Sequence, residues 1–303
     1  MLKRILTWMA GLVLLAVPGG ATLLTLNMRG EDPVSDAAPA FNSSPMLVER
    51  GRYLALAGNC AGCHTTRGGE PYAGGLGIGT PFGTIRASNI TPDEQHGIGA
   101  WNADHFWRAL HNGRSRDGHL LYPAFPYPSF THITREDSDA LYAYLRTVPP
   151  SSQPNVPHAL RFPYDTQLAL AVWRALFFKP GEFTPDPRRS AAWNRGAYLV
   201  QGAGHCVACH GARNSLGATI DARGLSGAVI PGENWYAPSL ADVREAGVSA
   251  WPLEDVVALL KTGQSPHGSV IGPMADVVWG STQHLNDADL SAIATYLLGL
   301  PPP

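Results

Sequence analysis

The chain has 303 residues, a length that suits two domains rather than one small one. Only 15% of them are charged, against 33 glycines and 26 prolines, and the formal net charge is −2. That composition excludes a disordered chain and gives no basic surface for nucleic acid.

In chain order, Lys3 and Arg4 precede a run from Ile5 to Met28 that carries no charge. A bilayer needs about 20 apolar residues, so residues 1–28 are predicted to be a transmembrane signal anchor; a cleaved signal peptide is the alternative. The basic end stays in the cytoplasm, which places the rest on the periplasmic side of a bacterial inner membrane. Residues 29–45, rich in Pro, Ser and acidic side chains, are predicted to be a tether. Residues 46–150 form a first domain, 151–188 a linker, and 189–303 a second domain. Eight prolines fall between positions 149 and 187. The linker holds one amphipathic piece, Thr166 to Phe178, whose apolar residues are Leu168, Val172, Ala175, Leu176 and Phe178; it is too short to cross a membrane and is predicted to pack across the domain junction.

The two domains repeat each other. Arg50-Gly51-Arg52-Tyr53-Leu54 precedes Cys60, and Arg195-Gly196-Ala197-Tyr198-Leu199 precedes Cys206. Ala100-Trp101 matches Ala250-Trp251, and Leu110, Gly113, Ser115 and Gly118 match Leu260, Gly263, Ser265 and Gly268. Tyr144-Leu145 with Pro149-Pro150 matches Tyr296-Leu297 with Pro301-Pro302. Each half therefore reads as a first helix, a cysteine motif, a middle helix ending at glycine, a loop and a last helix. Asp137 and Asp287 sit near the start of the last helices, where negative charge suits the dipole. No run of strand-like alternation is long enough to propose a sheet.

The four cysteines stand in two strings, Cys60-Ala61-Gly62-Cys63-His64 and Cys206-Val207-Ala208-Cys209-His210, with none left for a distant disulfide. Cys-x-x-Cys-His is the attachment signature of c-type haem. Two thiols add to the two vinyl groups of one porphyrin edge, and the adjacent histidine reaches the iron as proximal ligand. The competing readings are a zinc site built from both pairs and a redox dithiol. Zinc does not require histidine after each pair, and each pair has its own helical module. Two covalently attached haems c are therefore expected, on Cys60, Cys63 and Cys206, Cys209, with His64 and His210 on the irons. The expected fold class is all-α: two tandem class I cytochrome c domains behind an N-terminal transmembrane helix.

Methionine is the usual second axial ligand of an electron-transfer cytochrome c. Of five methionines, only Met274, in Gly272-Pro273-Met274, lies in a loop downstream of a haem motif and before a last helix. It is the candidate distal ligand of haem two. The matching place in the first repeat is Ala124 or Phe125, neither of which binds iron. His119, in the right loop after Gly118, is the candidate there, with an open or water-ligated iron as the alternative and His111 and His132 behind it. The aromatic residues around both motifs are expected in the haem-packing cores. Trp235 or Tyr236 is the candidate hydrogen-bond donor to a propionate, and Arg86 a candidate partner of one, or else exposed.

Several strings resemble the cytochrome c subunits of bacterial membrane-bound dehydrogenases: Phe82-Gly83-Thr84-Ile85, Asn89-Ile90-Thr91-Pro92-Asp93, Asp117-Gly118 and Tyr122-Pro123-Ala124. So do Trp193-Asn194-Arg195-Gly196-Ala197-Tyr198-Leu199 and Gly272-Pro273-Met274-Ala275-Asp276-Val277-Val278. The likeness spans residues 46–300. It implies an electron-transfer subunit rather than an enzyme on its own. The implied donor is a dehydrogenase catalytic subunit of quinoprotein, flavoprotein or molybdenum-hydroxylase type. The implied acceptor is a quinone, a terminal oxidase or another cytochrome. Two departures matter. Many members carry three haems, and many have Pro-Ala-Met-Pro-Tyr where this chain has Pro123-Ala124-Phe125-Pro126-Tyr127. The first points away from alcohol and gluconate dehydrogenases, and two-haem relatives with the phenylalanine variant resemble those beside molybdenum hydroxylases for aromatic heterocycles or aldehydes. The rival reading from another class is a peroxidase-type haem enzyme that uses an open first iron.

Overall fold

The computed structural model describes residues 18–37, 41–220 and 225–301. In the first repeat, α1 (Pro45–Ala57) starts where Ser44 accepts the Leu47 amide and Pro45 takes the first helical position. The cysteine motif is the single turn α2 (Cys60–His64). A short hairpin follows, β1 (Gly77–Thr80) and β2 (Gly83–Arg86), paired antiparallel with Ile78 opposite Ile85. Helix α3 (Ala103–Asn112) is capped by Asn102, whose side chain and that of His105 bond each other's backbone amides; it ends at Gly113 with φ 57°. Then come α4 (Tyr127–Phe130) and α5 (Arg135–Leu145), the latter capped by Thr134. The linker adds β3 (Ala159–Leu160), paired to β2, and α6 (Gln167–Phe177).

The second repeat retraces this path. It consists of α7 (Ala191–Gln201), the motif turn α8 (Val207–His210), β4 (Ala228–Val229) and β5 (Tyr236–Ala237). After these come α9 (Leu253–Thr262), β6 (Gln264–Ser265) and β7 (Gly268–Ser269), α10 (Pro273–Gly280) and α11 (Asp287–Leu298).

What sets each repeat is the crossing of its first and last helices. A β-carbon on Gly51 of α1 would lie 1.8 Å from the Ala140 carbonyl oxygen of α5. One on Gly196 of α7 would lie 1.9 Å from the Ala292 carbonyl oxygen of α11. Only glycine lets the two backbones meet, and the repeated Arg-Gly-x-Tyr string encodes that approach. Two apolar clusters grow around the crossings. One holds Leu54, Phe106, Leu110, Phe130, Leu141 and Leu145; the other holds Leu199, Val256, Leu260, Leu290, Ile293 and Leu297. Each fully buried aliphatic side chain contributes about 2 kcal/mol. Ala203 joins the first cluster, and Ala57 and Tyr53 the second, so the repeats share their border.

Three expectations are corrected. The fold is helical but not all-α: the described residues hold three small sheets, one of three strands and two of two. Their strands run two to four residues, below the length at which alternation shows in a sequence. Secondly, no helix among the described residues is long and apolar enough to cross a membrane. Of the anchor expected over residues 1–28, residues 1–17 lie outside the described residues, and residues 18–27 form a helical segment whose end is committed to protein. There Asn27 is buried, its amide donating to the Ala171 carbonyl of α6 and accepting from Arg174. Thirdly, α6 turns an unexpected face inward: Leu170 and Arg174 are buried, while Leu168, Val172 and Leu176 are exposed. It does touch both repeats, through Arg174 to the Asn112 carbonyl and through Trp173 Nε1, which donates to the Leu216 carbonyl at 3.0 Å. The tether is laid along the first repeat, with Glu31 paired to Arg114 at 2.8 Å and Phe41 packed edge-on against Tyr142.

Candidate functional site: two matched cysteine-histidine turns

Both motif turns begin the same way. The residue before the first cysteine adopts a left-handed conformation, Asn59 at φ 46° and His205 at φ 36°. This is a strained position for a side chain other than glycine, and it turns the chain sharply from the first helix into the motif. Each motif histidine is then oriented alike. His64 Nδ1 lies 2.6 Å from the Ser88 carbonyl, and His210 Nδ1 lies 2.7 Å from the Pro238 carbonyl. A carbonyl only accepts, so Nδ1 carries the proton and donates, which leaves the Nε2 lone pair free for a metal. Burial lowers the basicity of both imidazoles, more than the carbonyl bond raises it. Both are therefore neutral at neutral pH, the form that ligates iron.

All four cysteines are free of disulfides. Burial pushes the Cys60 and Cys206 thiols up to about 12 and raises those of Cys63 and Cys209. A redox-active dithiol needs the reverse, a thiol lowered by nearby positive charge. Among the described residues no group of three or more His, Cys, Asp or Glu is placed to hold a metal ion, so the two pairs do not converge on a zinc site. The donor set fits a c-type haem instead: two thiols on one turn, and an imidazole on the same turn with its free nitrogen set by a backbone carbonyl. The segments that lead into the two turns also meet: a β-carbon on Gly58, two residues before Cys60, would lie 3.3 Å from the carbonyl oxygen of Ala203, three residues before Cys206.

Met274 lies in the first turn of α10 and packs, half-buried, on the second apolar cluster. Gly272 before it has φ 55°, and a β-carbon there would come 2.7 Å from the Trp235 ring. Trp235 thus lies against the loop that presents Met274. Tyr236 donates its hydroxyl to Glu245 at 3.0 Å, and Arg86 Nη1 donates to the Gly75 carbonyl at 3.4 Å. In the first repeat, Phe125 packs against Phe130 at 5.4 Å and Tyr127 at 6.5 Å, and lies on the first apolar cluster, as Cys60 and Ala61 also do. His119 stands apart from that packing. Its ring is half exposed on the turn bridged by Arg114 and Leu120, with Nδ1 2.5 Å from Asp117 and 2.8 Å from the Ser115 hydroxyl. His111 stacks on Trp107 and contacts the Thr131 carbonyl, and His132 contacts the Ser129 carbonyl.

The sequence did not point to Ser88 and Pro238. They act through backbone carbonyls, so their side chains carry no signal, and only their matching places in the repeat mark them. Asp289 was also missed in favour of Asp287. The structural equivalent of Asp137, three residues after the cap Thr134, is Asp289, three after the cap Asn286. Asp287 is exposed and pairs with Lys261 at 3.4 Å.

A family model described as Cytochrome c matches residues 48–149. Over 311 residues, 99% of both chains, this one is 36% identical to a diheme cytochrome c-type of Cereibacter sphaeroides. It is 47% identical over 259 residues to a nicotinate dehydrogenase subunit of Pseudomonas putida, covering 85% of this chain and 22% of that one. It is 45% identical over 289 residues to the cytochrome c subunit of a quinone alcohol dehydrogenase of Gluconacetobacter polyoxogenes, covering 93% of this chain and 60% of that one. Against these last two, the chain spans between a fifth and three-fifths of the relative's length.

Proposed function

The chain belongs to the cytochrome c family and binds haem c covalently, and from that premise we propose that it is a diheme electron-transfer subunit of a dehydrogenase complex. The observation that carries this is the pair of matched turns, Cys60–His64 and Cys206–His210, each with its histidine held by a backbone carbonyl, and with the segments that lead into them meeting across the junction at Gly58 and Ala203. When bound, haem c supplies a one-electron centre. The chain's own residues do the rest. Cys60, Cys63, Cys206 and Cys209 tether it, His64 and His210 present neutral Nε2 atoms, and Ser88 and Pro238 fix those rings. Met274 is proposed as the distal ligand of haem two, with Trp235 lying against its loop.

For haem one, the exposed turn that holds His119 and the apolar packing of Phe125 favour an open or water-ligated iron over His119 as distal ligand. The proposed donor is a molybdenum hydroxylase acting on an aromatic heterocycle or aldehyde, because nicotinate, named in one relative, is such a heterocycle. A quinoprotein alcohol dehydrogenase is the second choice, supported by the relative of that type. The proposed acceptor is a quinone, a terminal oxidase or another cytochrome, and the proposed compartment is the periplasm, where c-type haem is attached.

The test is to purify the native complex through a tag on this chain and to follow its reduced haem band on adding nicotinate, an aldehyde or ethanol. Reduction in the complex by one of these, and none in the isolated chain, supports the reading. Substrate or peroxide turnover by the isolated chain overturns it in favour of a haem enzyme.

A further inference from the structure

The junction between the repeats is built on a reciprocal exchange. Asp137, at the third position of α5, receives Arg50 Nε of its own repeat at 2.5 Å and the Tyr198 hydroxyl of the other at 2.5 Å. Asp289, at the third position of α11, receives Arg195 Nε of its own repeat at 2.7 Å and the Tyr53 hydroxyl of the other at 2.7 Å. Each tyrosine oxygen also accepts a backbone amide from the cap of the same foreign helix, Thr134 N to Tyr198 at 3.2 Å and Asn286 N to Tyr53 at 3.3 Å. Both carboxylates are shielded from water, Asp137 at 2% exposure and Asp289 at 6%.

The spacing explains how one string does two jobs. Arg50 and Tyr53 stand three apart on α1, and Arg195 and Tyr198 three apart on α7, so each pair shares a helix face. The arginine turns to the last helix of its own repeat and the tyrosine to that of the other. These are also the helices that lead directly into the haem turns, Tyr53 seven residues before Cys60 and Tyr198 eight before Cys206. The repeats are also joined by a long proline-rich linker, by the apolar border around Ala57 and Ala203, and by the Ser281 hydroxyl, which donates to the Ala57 carbonyl at 3.0 Å.

We propose that Tyr53 and Tyr198 are positioning residues: as a reciprocal pair of latches they fix the distance and mutual orientation of the two haem-bearing turns. This rests on the reading that both turns carry haem. A buried carboxylate that loses a hydroxyl donor is left short of partners in a poorly solvating place, so it has strong cause to shift the helices around it. Loss of both hydroxyls should therefore change the relation between the repeats before it changes either repeat's interior.

The test is the double variant Tyr53→Phe/Tyr198→Phe of the full haem-loaded chain, with Tyr142→Phe as control. Tyr142 donates to the Trp101 carbonyl within one repeat, so it reports loss of a phenol hydroxyl away from the junction. Two nearby haems couple their Soret transitions into a circular-dichroism couplet that falls steeply with distance and depends on orientation. The haem count by pyridine haemochrome and the absorption spectrum report each site separately. The latch account expects two haems and an unchanged absorption spectrum in all three proteins. It further expects a couplet in the wild type and in Tyr142→Phe, and loss of at least about half its amplitude in the double variant. Two haems with a couplet unaltered in the double variant overturn the latch alone, as does a wild type with two haems and no couplet. One haem in the wild type overturns the diheme reading, and the latch with it.

Discussion

Gly51→Ala and Gly196→Ala test whether the helix crossings hold the modules together. The added methyl would sit 1.8 Å or 1.9 Å from a backbone carbonyl oxygen of the last helix, about 1.5 Å inside van der Waals contact. The atom it meets is backbone, so no side-chain rotation relieves the clash and the helices must part. A gap of that order forfeits about half or more of the dispersion energy between facing atoms. Overpacking of this kind costs about 3 kcal/mol or more, and the better helix propensity of alanine returns about 1 kcal/mol. The net loss is about 2–3 kcal/mol for each substitution, confined first to the repeat that carries it. Gly181 has open space at its β-carbon position, so Gly181→Ala should stay within about 0.5 kcal/mol of wild type. Guanidinium unfolding of the haem-loaded chain, followed by far-ultraviolet circular dichroism, measures all three. Gly51→Ala and Gly196→Ala both as stable as Gly181→Ala would refute the close crossing.

Met274→Ala should abolish the sulfur-to-iron charge-transfer band and lower the potential of one haem, because a methionine ligand raises it; an unchanged spectrum removes Met274 from the site. His119→Ala should leave the haem-one spectrum as it is, and the reduced wild type should bind carbon monoxide at one haem. Conversion from low-spin to high-spin in His119→Ala would instead establish His119 as the ligand. Acid should loosen the junction late. Burial raises the Asp289 carboxyl, but the hydrogen bonds from Arg195 and Tyr53 outweigh it and hold it below its ordinary value. A depressed folded value gives stability that is complete above the unfolded one, about 3.9, and is lost as pH falls through the lower folded one. The Soret couplet should thus be constant from pH 7 to about 5 and decay only below about 4; decay starting near pH 6 would contradict this.

The site was more legible than the frame around it. Cys60, Cys63 and His64, and their second copies, announce themselves because their chemistry demands side chains at fixed spacing. The repeated Arg-Gly-x-Tyr string showed that two similar modules exist. It did not show that its glycine marks a helix crossing and its tyrosine reaches into the other repeat, since a single-repeat reading gives no view across a junction. Strands of two residues, such as Ala228–Val229, leave no periodic trace. The linker helix misled because its apolar residues suggested a buried stripe, while the structure buries Arg174 beneath Tyr127 and Phe178 through ring contacts at 5.5 Å and 4.7 Å. His119 was reached by elimination along the chain. Its partners Asp117 and Ser115 lie two and four residues away, so local bonding on the turn was open to a sequence reading that weighed it.

The most direct test of the account is the intact mass of the chain under denaturing conditions, which retains only covalently bound haem. The wild type should carry two haems. Cys60→Ala/Cys63→Ala and Cys206→Ala/Cys209→Ala should carry one each. A wild-type chain that retains one haem or none would contradict the claim that both matched turns are haem sites.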